Sequence, residues 1–233
     1  MKKIYVLIGN FGSGKTEIAL NIALDAAGRG RTELIDLDMV NTYFRLSERH
    51  TLIEASDIRL VMPNYAMKNI ETLSLPAEVQ SAFDMDWDTV VFDVGGDSAG
   101  ATALGRYKAD FDAQGDNLEV LNVINIRRPM SGTPEKIIAL MSEIEEKSRL
   151  KITGLINNAN LAHLTTADEL RDGYEAIREV ARQTGVKVRY TSGRRDVLEE
   201  FLAGEPEAEY VGEPLFITTY MHRDWETYTK FGI

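Results

Sequence analysis

The sequence predicts an α/β protein with a three-layer, doubly wound, mostly parallel sheet. Three observations predict it. Apolar, β-preferring runs alternate with helical segments along the whole chain, which implies parallel strands with helices on both faces. The 233 residues, 44% apolar and 27% charged, suffice for a sizeable core and match a soluble globular composition. No internal repeat, low-complexity stretch or linker interrupts the pattern, so residues 1–233 are expected to form one domain.

The elements follow in order. Ile4 to Ile8 is an apolar strand, and Glu17 to Ala27 has a helical pattern stopped by Gly28-Arg29-Gly30. Thr32 to Asp38 is a strand whose Asp36 and Asp38, two apart, share a face near its carboxyl end. A polar helix is expected from about Asn41 to Arg49, one or two short strands within Leu52 to Met62, and a helix over Ala77 to Phe83 opened by Pro76. Thr89 to Asp93 reads as a strand and Ala99 to Lys108 as a helix. Leu118 to Ile126 is a strand leading to Arg127-Arg128-Pro129. Thr133 is the N-cap and Pro134 the first residue of a helix reaching about Lys147. The strand Ile152 to Ile156 ends in Asn157-Asn158-Ala159-Asn160. An amphipathic helix from Thr166 to Gln183, a strand from Val186 to Thr191 and a short helix from Arg194 to Ala203 complete the pattern. The remainder, Gly204 to Ile233, is acidic and then aromatic, with Tyr220, Trp225, Tyr228 and Phe231; it is expected to pack over the sheet as an extension.

Between the first strand and helix stand Gly9, Asn10, Phe11, Gly12, Ser13, Gly14, Lys15 and Thr16. Gly, four residues and Gly-Lys-Thr, in a strand–loop–helix setting, is the Walker A phosphate-binding loop. Glycines let the backbone close around a phosphate, and its N–H groups converge on the anion at the helix N-terminus, which Glu17 also helps to form. Lys15 supplies a point charge to the β- and γ-phosphates and Thr16 a hydroxyl to Mg²⁺. An ordinary glycine-rich turn is the plainer reading, but both the strand and the helix are in place. Asp93 ends a strand as a Walker B carboxylate does, holding the Mg²⁺ shell. Gly95 and Gly96 behind it let backbone N–H groups approach a γ-phosphate, with Asp97 beside them.

Composition narrows the function further. With no cysteine there is no disulfide and no thiolate metal site, and His50, His163 and His222 show no ligand spacing. A net charge of −11 argues against nucleic-acid and anionic-membrane partners. No apolar run approaches the roughly 20 residues of a membrane span. Met1-Lys2-Lys3 runs straight into the first strand, so no signal peptide is expected and the expected location is the cytosol.

Walker A near the amino terminus, Leu34-Ile35-Asp36-Leu37-Asp38 and Asp93-Val94-Gly95-Gly96 together resemble the MinD/ParA class of P-loop ATPases. That is the deviant-Walker-A (SIMIBI) branch, which includes nitrogenase iron protein, ArsA and the CobQ/CobB enzymes. The resemblance covers roughly Lys2 to Thr191, and it implies a P-loop NTPase fold with ATP and Mg²⁺ as ligands. It implies Lys15 and Asp36 as catalytic residues, Asp36 orienting the attacking water, and Thr16, Asp36 and Asp93 around the metal. It also implies that Asn157 or Asn158 hydrogen-bonds the adenine, and leaves open which. No Asn-Lys-x-Asp guanine motif is present. Many members carry a second lysine early in the loop; here that position is Asn10, and Arg45, Arg106, Arg127 and Arg128 are the candidates to replace its charge. The leading expectation is an ATPase that switches a partner protein or a homodimer. The alternative is a small-molecule enzyme of the CobQ/CobB or dethiobiotin synthetase type that activates a carboxylate, its pocket lined by Asn41, Tyr43, Arg45, Arg127 and Arg128.

Overall fold

The computed structural model describes residues 2–38, 46–62, 77–96 and 98–221. Asn41, Tyr43, Arg45, Asp97, His222, Trp225, Tyr228 and Phe231 lie outside the described residues. The elements run β1 (Lys3–Ile8), α1 (Lys15–Ala27), β2 (Thr32–Leu37), α2 (His50–Ala55), β3 (Ile58–Val61), α3 (Ser81–Asp84), β4 (Thr89–Val94), α4 (Ser98–Leu104) and α5 (Lys108–Asp112). They continue β5 (Leu118–Ile124), α6 (Pro134–Ser148), β6 (Gly154–Asn157), α7 (Ala167–Thr184), β7 (Val188–Gly193), α8 (Arg195–Leu202) and β8 (Glu213–Phe216).

The strands form one eight-stranded sheet in the order β3-β2-β4-β1-β5-β6-β7-β8, and every pairing is parallel. From β1 the chain winds toward the β3 edge, and from β4 onward toward the β8 edge. The connections therefore diverge beside β1, where open α/β sheets leave a crevice at the strands' carboxyl ends.

Alternation along the central strands divides the core. Ile4, Val6 and Ile8 of β1 join Val90, Phe92 and Val94 of β4 against α3 to α7. Leu7, Leu34 and Val91 face the other way, against Ile18, Ala19 and Ala23 of α1 and Ile53 of α2. A third cluster, Leu170, Tyr174, Val197, Leu198 and Phe201, locks α8 to α7. Thr133 caps α6, with Pro134 at its first position, and α7 opens with a capping box of Thr166 and Glu169 that satisfies orphan N–H groups.

Two expectations need correction. Leu52 to Ala55 is helical, part of α2, and only Ile58–Val61 is a strand; a short apolar run has no periodicity to separate the two states. The carboxyl-terminal stretch does more than cover the sheet, because Glu213–Phe216 joins it as β8, in register with Tyr190 to Gly193. The chain then crosses to the α1 face, where Leu215, Ile217, Tyr220 and Met221 pack.

Candidate nucleotide-binding site

At the carboxyl ends of β1, β6 and β7 lies a cavity of about 370 Å³. Gly12, Gly14, Lys15 and Thr16 line it, with Asn158 beside Gly14, and so do Asn160, Thr165 and Arg194. Gly9, Gly12 and Gly14 of the intervening loop all have positive φ. Gly14 is the N-cap of α1, and a Cβ there would overlap the Asn158 amide, so only glycine admits that close approach. The Ser13 N–H donates to the Asn10 carbonyl at 3.2 Å and turns the loop back on itself. Lys15 is 5% exposed, and its Nζ donates to the same carbonyl at 2.9 Å. Phe11, by contrast, stands 60% exposed at the rim.

The carboxylates arrive through register. Asp36 of β2 is paired with Asp93 of β4. Each lies two residues beyond a strand residue buried against α1, Leu34 and Val91, so both side chains project on the α1 face. That brings them together beside Lys15 and Thr16. Asp36 Oδ1 accepts the Asp38 N–H at 2.9 Å. Asp93 is 1% exposed, and neither of its oxygens has a hydrogen bond of good geometry among the described residues. Burial raises its pKa to about 7 against the opposing pull of the Lys15 charge and the Thr16 hydroxyl, with Asp38 adding to the rise. Gly96 presses onto the loop as well: a Cβ there would stand 2.5 Å from Phe11 N, so the Gly95-Gly96 backbone abuts Asn10 and Phe11.

The two asparagines separate. Asn158 Nδ2 donates to Ser13 O at 2.6 Å, and its Oδ1 accepts from Ser192 Oγ at 2.8 Å, so it joins the loop to β7. Asn157 turns away: its Nδ2 donates to Leu170 O and its Oδ1 accepts from Ala159 N, which makes it a brace for α7 rather than a lining residue. Glu17 also departs from expectation. Its carboxylate accepts the Tyr220 and Met221 N–H groups at 2.8 and 3.0 Å, so the side chain anchors the carboxyl-terminal segment. Desolvation raises its pKa against those hydrogen bonds and the Arg49 charge. Asn21, one turn on, holds Thr218 through both backbone groups, and Arg49 Nε donates to Tyr220 O.

Arg127 is engaged by Asp172 at 2.6 Å and lies 3.7 Å from Glu169. Both lie on α7, so Arg127 is engaged there; Asn41, Tyr43 and Arg45 of the pocket expected in the small-molecule reading lie outside the described residues. Arg106 sits beyond the far end of α4. Arg128 does reach the loop, its Nε donating to Gly12 O at 2.8 Å. The sequence reading missed Ser192, Thr165, Arg194 and the buried Asn125. Only Asn125, next but one before the paired arginines, gave a local signal.

No protein-family model matches the sequence, and no curated protein matches it. Among solved structures, chloroplast FtsY from Physcomitrella patens matches with a TM-score of 0.54 and 16% identity, over 82% of this chain and 58% of that one. The signal recognition particle receptor FtsY from Elizabethkingia anophelis in complex with GDP gives 0.50 and 18%, over 82% and 57%. A nucleotide-binding protein in complex with ADP from Archaeoglobus fulgidus gives 0.51 and 14%, over 95% of this chain and 94% of that one. This chain thus spans less than two thirds of the FtsY chains and nearly all of the archaeal protein. At these identities the likeness is one of fold, and the fold is that of the P-loop NTPases.

Proposed function

We propose that this chain is a Mg²⁺-dependent ATPase of the MinD/ParA-like branch, working as a nucleotide switch on a partner protein or a second copy of itself. The observation that carries the reading is the register of β2 with β4, which sets Asp36 beside Asp93 at the start of α1, next to Lys15 and Thr16. In this reading the loop N–H groups and Lys15 hold the β- and γ-phosphates. Asp36 orients the attacking water and accepts its proton. The Gly95-Gly96 backbone, already against Asn10 and Phe11, shifts when the γ-phosphate is present and relaxes when it leaves.

The residues fit a magnesium ion. Asp93 is a buried carboxylate with no hydrogen bond of good geometry among the described residues, its pKa raised to about 7 by burial, and a divalent cation offsets that cost. No group of three or more ligating His, Cys, Asp or Glu exists among the described residues. In this reading the ion is held by Thr16, Asp93 and, through water, Asp36, and completed by phosphate oxygens. When bound, it would neutralise charge on the phosphates.

Adenine is the base this reading assigns, on the chemistry of the asparagines in the cavity lining. Guanine presents two adjacent donors, best met by one carboxylate, whereas adenine offers a donor and an acceptor, which an amide matches. Asn158 and Asn160 line the cavity; their amides are bonded within the chain, Asn158 to Ser13 and Ser192 and Asn160 to Asn158 and Ala162, so in this reading one of them exchanges a partner for the base. The archaeal protein of similar length is complexed with ADP, although an FtsY relative in fold is complexed with GDP. Calorimetric titration with ATP and with GTP, each with Mg²⁺ and with EDTA, tests this. Magnesium-dependent ATP binding is expected. Preference for GTP overturns the adenine assignment, and binding of neither nucleotide overturns the site.

A further inference from the structure

We propose that Arg128 is the catalytic cation standing in for the missing second lysine, supplied by the same chain from the loop after β5. This rests on the nucleotide-hydrolase reading above. A charge count motivates it. Asp36 and Asp93 end paired strands, Lys15 and Asp38 both act on the Asp93 charge, and Asn10 adds no charge. Lys15 and one divalent ion together only cancel those carboxylates, which leaves the triphosphate's own charge unopposed. As the water oxygen bonds to the γ-phosphorus, the bond to the β–γ bridging oxygen breaks. That oxygen keeps the electron pair, and the water proton passes to Asp36. The charge growing on the bridge needs a fixed positive group nearby.

Arg128 is built for that place. Its guanidinium lies along the phosphate loop, with Nε on Gly12 O at 2.8 Å. The glycine leaves it room, since a Cβ at Gly12 would stand 3.2 Å from Nε and 3.4 Å from Cζ. Its backbone is fixed: the Arg128 N–H donates to Asn125 O, and the Ser131 N–H donates to Arg128 O. Asn125 is itself wholly buried, its carbonyl also accepting from Ser131 Oγ at 2.7 Å and its side chain tied to Asn160. The side chain beyond this rigid root is exposed and lines the cavity. The other lining arginine, Arg194, is spread over the carbonyls of Ala162, His163 and Thr165 and the Asp196 carboxylate. The planar, permanently charged fork sits on the Gly12 carbonyl of the loop, and in this proposal it turns from that carbonyl to the β–γ bridge.

The test compares wild type, Arg128→Ala, Arg128→Lys and Arg127→Ala by affinity for ADP, affinity for a non-hydrolysable ATP analogue, and single-turnover ATP hydrolysis. Arg128→Ala is expected to lower turnover about a hundredfold or more. It should also weaken the analogue about tenfold while leaving ADP within about threefold. Lysine should restore part of both, and Arg127→Ala should match wild type. Equal weakening of ADP and the analogue would mean that Arg128 only props the loop, and would overturn the proposal. Unchanged turnover and analogue affinity would overturn it too. If hydrolysis is undetectable even in wild type, the analogue-to-ADP split decides alone. Wild type that binds no nucleotide refutes the parent reading instead, and the binding arm reports that separately.

Discussion

Replacing Asp93 by asparagine should make the nucleotide-free protein more stable, although it removes a residue from the working site. The carboxylate is 1% exposed and has no hydrogen bond of good geometry, and burial lifts its pKa from 3.8 to about 7. An acid whose folded pKa lies above its unfolded value keeps its proton in the native state. The cost of ionising it therefore grows as pH rises past the unfolded value and is complete above the folded one. At about 1.36 kcal/mol per unit, a shift of roughly three units costs on the order of 4 kcal/mol at pH 8, about 2 at pH 5 and under about 1 near pH 4. Asparagine has the same shape and never ionises. Titrating groups remote from Asp93 cancel in the difference, whereas Lys15 and Asp38, which act on its charge, contribute to it. Urea unfolding in EDTA at several pH values should show Asp93→Asn ahead of wild type by about 2–4 kcal/mol at pH 8, with the lead shrinking as pH falls. Magnesium with ATP should then stabilise wild type and not the variant. A variant no more stable than wild type at pH 8, or a gain independent of pH, would refute the claim that this carboxylate is buried without compensation.

Lys15→Ala should abolish measurable ATP binding, a loss of about a hundredfold or more, while circular dichroism stays native. Unchanged affinity would remove the loop from the site. Asp36→Asn should bind ATP within about threefold of wild type and lose about two to three orders of magnitude in turnover, as loss of a proton acceptor does. Wild-type turnover would take Asp36 out of the mechanism. Asn21→Ala should cost about 1–2 kcal/mol in urea unfolding, since it leaves both backbone groups of Thr218 without their partner, and should speed exchange of the Thr218 amide. Equal exchange rates would mean that the segment is held in some other way.

The sheet core and the loop were legible because their signals are local. Ile4 to Ile8, the Gly-Lys-Thr run and Thr89 to Asp93 each carry strand, turn or helix-start chemistry within a few residues. What escaped was non-local. β8 holds Glu213, Pro214 and mostly exposed side chains, so neither alternation nor β-propensity marks it, and it exists only because β7 offers an edge. Alternation says that Asn157 and Asn158 point apart, but not which of them meets Ser13, because that depends on where β6 lies relative to β1. Glu17 reads as the first turn of a phosphate-binding helix, yet the backbone N–H groups its carboxylate accepts are more than 200 residues away. Of four arginines with similar sequence settings, only packing against Asp172 and Gly12 distinguishes Arg127 from Arg128.

The fastening of residues 218–221 to α1 also bears on how the protein is made. Glu17 and Asn21 emerge from the ribosome early, whereas the backbone groups they hold follow 197 to 204 residues later. At roughly 5–20 residues per second, that interval lasts on the order of 10–40 seconds. During it the first helix and phosphate loop exist beside a half-built sheet, with a buried-to-be carboxylate facing water and Ile217, Thr219 and Met221 still absent from the cavity wall. Until synthesis passes Met221 the cavity lacks these three residues of its wall, and a chain stalled upstream would carry its glycine loop beside an open side.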